Sequence, residues 1–185
     1  YAGRSLKFTL MIDSHCHFDF ADFDHDRTAL WQRCQALGIQ KLIIPGTDDS
    51  QWQKAHQYSI SLPGVYSACG LHPWWIERNP QQNLEQQLRA FIENSSPIAI
   101  GECGLDKHIA TAIEKQEQVF SLHLQLASEY ALPLIVHVRD KHQDVLQLIK
   151  RFRPSKGGVI HAFSGSIEIA KAYWDLGFYL GVGGV

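Results

Sequence analysis

Long apolar runs are missing from this sequence. None approaches the roughly 20 residues that a helix needs to span a bilayer, so no membrane partner is expected. The opening stretch, YAGRSLKFTL, lacks the apolar core and small-residue cleavage site of a secretory signal. Closely spaced cysteine pairs are absent too. Cys16, Cys34, Cys69 and Cys103 form no CxxC, and a chain of 185 residues can bury a core without covalent staples. Reduced thiols in a cytoplasmic protein are the expectation, each cysteine acting as a small hydrophobe. Neither GxGxxG nor GxxxxGKS/T follows any apolar segment, which removes a dinucleotide site and a P-loop. Charge is balanced: 17 Lys plus Arg against 19 Asp plus Glu give a net −2. That argues against a generally basic nucleic-acid coat while leaving room for a local positive cleft.

What the chain has in quantity is histidine, with ten residues. It also has a rhythm. Seven short apolar segments recur at Met11–Ile12, Lys41–Pro45, Val65–Cys69, Ile98–Gly101, Leu134–Val138, Val159–His161 and Phe178–Val182. Six intervals after them carry helical spacing. Leu30, Cys34 and Leu37 form one stripe closed by Gly38. Trp52, Ala55 and Ser59 form another, with Asp49 or Ser50 as cap. Leu84, Leu88, Phe91 and Ile92 form a third. Phe120, Leu124, Ala127 and Ala131 precede Pro133, and Val145, Leu148, Ile149 and Phe152 precede Pro154. Ile169, Ala170, Tyr173 and Trp174 run from a Ser166 cap to Gly177. Strands alternating with helices predict a parallel α/β fold. Polar residues after several different strands favour a barrel rim over an open doubly wound sheet.

Five residues carry the chemical signal. In Asp13-Ser14-His15-Cys16-His17 an extended chain puts His15 and His17 on one face, where both can reach one ion, with Cys16 facing the helices. Surface or hydrogen-bonded histidines are the alternative. Glu102, after Ile98-Ala99-Ile100, is a carboxylate at a buried strand end, costly unless paired or metal-bound. It can place one oxygen on each of two ions or cap a turn, and Gly101 and Gly104 relieve crowding around it. His137 in PLIVHVRD and His161 in GVIHAFSGS each end an apolar strand; either alone is often satisfied by a carbonyl. Together the set predicts a divalent metal centre of mixed nitrogen and oxygen ligands, suited to Zn, Mn or a related ion.

Around it stand residues with open roles. His72 can hydrogen-bond substrate or serve structure, and Arg139 or Lys141 can hold an anion or remain solvated. Asp106 and Ser164 are candidates to support the ligands. Trp74 and Trp75 can stack a base or cover the core. His25, His56, His108, His123 and His142 are expected on loops or helix surfaces.

The stretches MIDSHCHFD, CGLHPWW, IGECGLD, QEQVFSLHLQLASEYALPLIVHVRD, VIHAFSGS and YLGVGG resemble the TatD family of metal-dependent deoxyribonucleases, amidohydrolase-like metallo-hydrolases on a TIM-type barrel. The resemblance runs from about Met11 to Gly184. It implies a barrel domain over residues 11–185, with residues 1–10 an extension outside the pattern. It also implies two divalent ions (Zn, Mn, Mg or related): His15 and His17 on one, His137 and His161 on the other, and Glu102 bridging. His72 and Arg139 would line the substrate side, with Glu102 and His72 the catalytic candidates, and DNA phosphodiesters would be cleaved. The family's eighth strand, ending in a metal-binding aspartate, has no match here, so a barrel incomplete after the seventh strand, with weakened activity, is expected. The competing expectations are a related hydrolase of small esters, amides, lactones or phosphomonoesters, and an inactive binding or structural domain.

Overall fold

A computed structural model of the chain describes residues 10–79 and 83–183. Most of the expected N-terminal extension therefore lies outside the described residues. Strands β1 (Met11–Asp13), β2 (Ile39–Ile44), β3 (Val65–Cys69), β4 (Ala99–Asp106), β5 (Leu134–Arg139), β6 (Gly158–Ile160) and β7 (Phe178–Leu180) alternate with six helices. The helices are α1 (Arg27–Ala36), α2 (Asp49–Ser61), α3 (Leu84–Ser95), α4 (Ile113–Glu129), α5 (His142–Phe152) and α6 (Ile167–Asp175).

All seven strands are parallel and lie in chain order, each paired with the next. A doubly wound sheet would reverse direction at a switch point. Uninterrupted order instead makes every crossover advance the same way, so the sheet curls into the wall of a TIM-type barrel. Outward residues such as Ile100, Cys103, Leu105, Leu134 and Val136 pack against Leu88, Phe120, Leu124 and Ile149 of the helices. A smaller inner cluster joins Ala68, Ala99 and Ile135, flanked by Ile43 and Val159. Among the described residues no helix is long and apolar enough to cross a membrane.

Local signals explain most boundaries. Gly38, at φ +100°, follows α1 as expected, and the Ser166 side chain accepts the Ile169 N–H at the start of α6. The α3 stripe is buried in full. Other details differ. In α1 the packing falls to Trp31, whose indole donates to the Pro63 carbonyl, while Leu37 is exposed. Asp48, rather than Asp49 or Ser50, caps α2 by accepting the Gln51 N–H. Ala131 lies past the end of α4 in a left-handed conformation, and Trp174 on α6 faces solvent.

Candidate metal centre

The largest departure from sequence periodicity builds the site. Ile100 pairs with Leu134, but the next pairing is Cys103 with Val136, so β4 carries one extra residue between them. Strict alternation would send Glu102 the same way as Ile100, into the helix layer. The bulge re-aims it into the barrel, while Cys103 and Leu105 resume the outward positions. Glu102 therefore lies inside a long strand, not at a strand end. Two glycines permit this. At Gly101 (φ +138°) a Cβ would collide with the Ile135 carbonyl, and at Gly104 (φ +143°) with the His137 carbonyl. The Glu102 N–H then donates to the Gly46 carbonyl at 2.7 Å.

Four strand ends deliver histidines to that carboxylate. Extended alternation on β5 sends Ile135, His137 and Arg139 inward, and the loop after β1 brings His15 and His17. The two Glu102 oxygens divide the histidines between them. Oε2 lies 3.2 Å from His15 Nε2 and 3.9 Å from His17 Nε2. Oε1 lies 3.4 Å from His137 Nδ1 and 3.8 Å from His72 Nε2. Two sets of donor atoms are mutually close enough to hold an ion: His15, Glu102 and His161; and His72, Glu102 and His137.

The donor set fits divalent metal. Glu102 is 3% exposed, yet among the described residues no Lys or Arg forms a salt bridge with it. Both ring nitrogens of His15, and Nδ1 of His17, are buried without a hydrogen-bond partner among the described residues. Burial pushes His72 and His161 down to about 4, partly offset by Glu102, so both present neutral rings near pH 7. Burial would raise the Glu102 carboxyl, but the His137 and His15 imidazoles beside it outweigh that and hold it well below the usual carboxylate range. The result is an anionic carboxylate beside the neutral rings of His72 and His161.

The structure thus brings together all five residues expected as ligands, together with His72, and arranges them differently from the resemblance. His161 sits with His15, where the resemblance paired it with His137. His72, expected at the substrate, sits with His137. His17 falls outside both close sets.

A pocket of about 490 Å³ opens above, lined by His17, Phe20, Thr47, Gln51, His72, Trp74, Trp75, Glu102, His137, Arg139, His161 and Ser164. Trp74 is 55% exposed and Phe20 42%. Each touches a cluster histidine: Phe20 stacks on His17 at 4.8 Å, and Trp74 meets His72 edge-on at 5.3 Å. Phe20, Thr47 and Gln51 escaped sequence reading because no pattern marks a loop aromatic or a helix-start polar residue as pocket lining. Arg27 escaped it too. Its buried guanidinium donates to the carbonyls of Phe18 and Phe20, holding the loop after His17, and lies over the Tyr58 ring. His123 proves fully buried rather than on a surface. Its Nε2 accepts the Leu71 N–H at 3.0 Å and Nδ1 donates to the Val119 carbonyl. His108 faces Asp140 at 2.5 Å, and His142 lies 3.2 Å from the Tyr173 hydroxyl.

Residues 12–185 match the family model described as TatD related DNase. The chain belongs to that family. It is 36% identical over 175 residues to the uncharacterized metal-dependent hydrolase YjjV of Escherichia coli K12, covering 94% of this chain and 68% of the relative. It is 33% identical to the 3'-5' ssDNA/RNA exonuclease TatD of Cronobacter sakazakii, covering 94% of this chain and 66% of that one. The chain thus spans about two thirds of the length of these relatives. The crystal structure of E. coli YjjV superposes with a TM-score of 0.88 over 94% of this chain and 68% of that one, at 36% identity. A TatD family hydrolase from Entamoeba histolytica, 24% identical, shares the fold with a TM-score of 0.82 over 94% of this chain and 64% of that one. Both the TatD-like metal-dependent hydrolase class and the TIM-type fold expected from the sequence stand on these matches.

Proposed function

We propose that this chain carries the centre of a two-ion nuclease that hydrolyses phosphodiester bonds of single-stranded nucleic acid, DNA foremost. One observation carries the reading: the Glu102 carboxylate splits its two oxygens between two histidine sets. The division gives each oxygen its own pair of nitrogen donors, as a two-ion site requires. The names of the exonuclease relatives support the substrate class.

Bound divalent ions would supply Lewis acidity to the phosphoryl oxygens and a water acidified toward neutral pH. The chain's own residues do the rest. Glu102 would hold one ion through each oxygen and fix their spacing. His15 and His161, with His17 alongside, would complete one site, and His72 and His137 the other. His72 Nδ1 accepts the Trp74 backbone N–H at 3.2 Å, so holding an ion through Nε2 would require that bond to give way. Arg139, exposed at the rim, has the fork geometry to hold a neighbouring phosphate. The exposed faces of Trp74 and Phe20 offer bases a surface on which to stack. The four free thiols suit a reducing compartment, the cytoplasm.

The test is hydrolysis of end-labelled single-stranded DNA, with RNA, duplex DNA, a nitrophenyl phosphate ester and a lactone alongside, in the presence of Mn, Mg or Zn. Metal-dependent release of nucleotides from single strands, abolished by Glu102→Ala, is the expected result. Turnover of the small esters alone would overturn it.

A further inference from the structure

Asp106 ends β4 one inward step beyond Gly104, and it has no exposed surface. It does not line the pocket. Three donors nonetheless converge on its two oxygens. The Trp74 indole N–H reaches Oδ2 at 2.9 Å, His137 Nε2 reaches the same oxygen at 3.1 Å, and the His108 backbone N–H reaches Oδ1 at 2.8 Å. Its backbone is clamped as firmly. The Asp106 N–H donates to Gln116 Oε1 at 2.8 Å, and Gln116 Nε2 donates back to the Asp106 carbonyl at 3.0 Å and to the Thr111 carbonyl at 2.8 Å. Gln116 is itself buried.

A carboxylate with three donors is an acceptor only. Burial would raise its carboxyl, but the hydrogen bonds from Trp74, the His108 backbone and His137 outweigh that and lower it. Facing such an acceptor, a singly protonated His137 keeps its proton on Nε2. Its Nδ1 lone pair is then free on the opposite side of the ring, where it looks at Glu102 Oε1 from 3.4 Å. A carboxylate behind a ligating histidine is a known way to fix ring orientation and raise ligand basicity.

We propose that Asp106 is a positioning residue that sets the His137 tautomer and aims Nδ1 at the ion beside Glu102, and that the Trp74 N–H holds Asp106 for this task. The proposal rests on the metal-centre reading above. It makes the exposed indole at the pocket rim and a buried metal ligand two ends of one hydrogen-bond chain. Asparagine cannot replace the aspartate, because one oxygen and an amide NH₂ would face three donors. Phenylalanine can replace the Trp74 ring but not its N–H.

Two measurements test it. Long-range ¹H–¹⁵N spectra of the metal-free wild-type chain, recorded at a pH where His137 carries one ring proton, report its tautomer directly: Nε2–H is expected, and Nδ1–H would overturn the proposal. Calorimetric Mn or Zn titration then compares wild type, Asp106→Asn and Trp74→Phe. We expect Asp106→Asn to weaken one metal equivalent by about 10–100-fold while the equivalent held by His15 and His161 keeps its affinity. Trp74→Phe should weaken the same equivalent less. The retained equivalent shows that the variants are folded. Equal weakening of both equivalents, or of neither, would overturn the proposal. Should the wild-type chain bind no ion, the metal-centre reading falls, and the tautomer still decides whether Asp106 sets His137.

Discussion

The imidazoles of His15 and His161 lie stacked, 3.5 Å between centroids and 12° from parallel, although one follows the first strand and the other the sixth. Two protonated rings would repel at that distance. Burial, and next the presence of His15, push His161 down to about 4. His161 therefore meets His15 as a neutral ring, with a lone pair available to a shared ion.

This pairing predicts which ligands act together. His15→Ala and His161→Ala should each remove the same metal equivalent, and the double variant should lose little more than either single one. His72→Ala and His137→Ala should remove the other. Calorimetric titration with Mn or Zn reads the number of equivalents. If His161→Ala instead pairs with His137→Ala, the arrangement implied by the family resemblance is the correct one.

Arg139 shares its strand face with His137 and is exposed at the rim. Arg139→Ala should raise KM for a single-stranded oligonucleotide with little change in kcat. The slope of log affinity against log salt should shrink by roughly one phosphate contact. Binding assays between low and moderate NaCl give that slope; an unchanged slope would place Arg139 off the substrate path.

Phe20 offers an exposed ring already stacked on His17. If bases lie against it, Phe20→Ala should weaken binding of a normal oligonucleotide by about tenfold, in line with the ~1–3 kcal/mol of base stacking on an aromatic ring. An oligonucleotide with abasic terminal sugars should bind wild type and variant alike. Comparing KM for the two substrates separates stacking from any change in the metal centre.

His123 carries a stability prediction. Burial pushes it down to about 4, below its ordinary value of 6.5. Between those values the unfolded chain binds a proton that the folded one refuses. This contribution is therefore present in full above about pH 6.5 and is lost as pH falls toward 4. His123→Leu should flatten that part of the pH dependence and cost about 1–3 kcal/mol near pH 7, because the Leu71 N–H loses its acceptor. Urea unfolding of the metal-free chain at several pH values measures both effects.

Much of this was legible in the residues. Apolar runs located all seven strands, and the helical stripes located all six helices, because burial on two faces leaves few other places for such residues. Histidines at successive strand ends pointed to one rim. What escaped was set by contacts distant in sequence. The β4 bulge reverses the direction that period 2 assigns to Glu102, and only the pairing with β5 reveals it. Leu37 looked like part of a stripe, but Trp31 reaches Pro63 and takes the buried position. His72 reads equally well as a substrate contact until Glu102 Oε1 is found beside it. His123 has no partner pattern because its acceptor and donor duties serve backbone groups, which no side-chain motif can advertise.

The chain-order arrangement of the strands has a kinetic consequence. His15 and His161 meet only after the four strands between β1 and β6 have been laid down, so their contact spans most of the sequence and belongs among the slow, late events of folding. A cation cannot template the early collapse of this wall, since its ligands are still scattered along an unclosed polypeptide. Refolding rates should therefore be insensitive to added metal, with the ion's influence confined to slower unfolding.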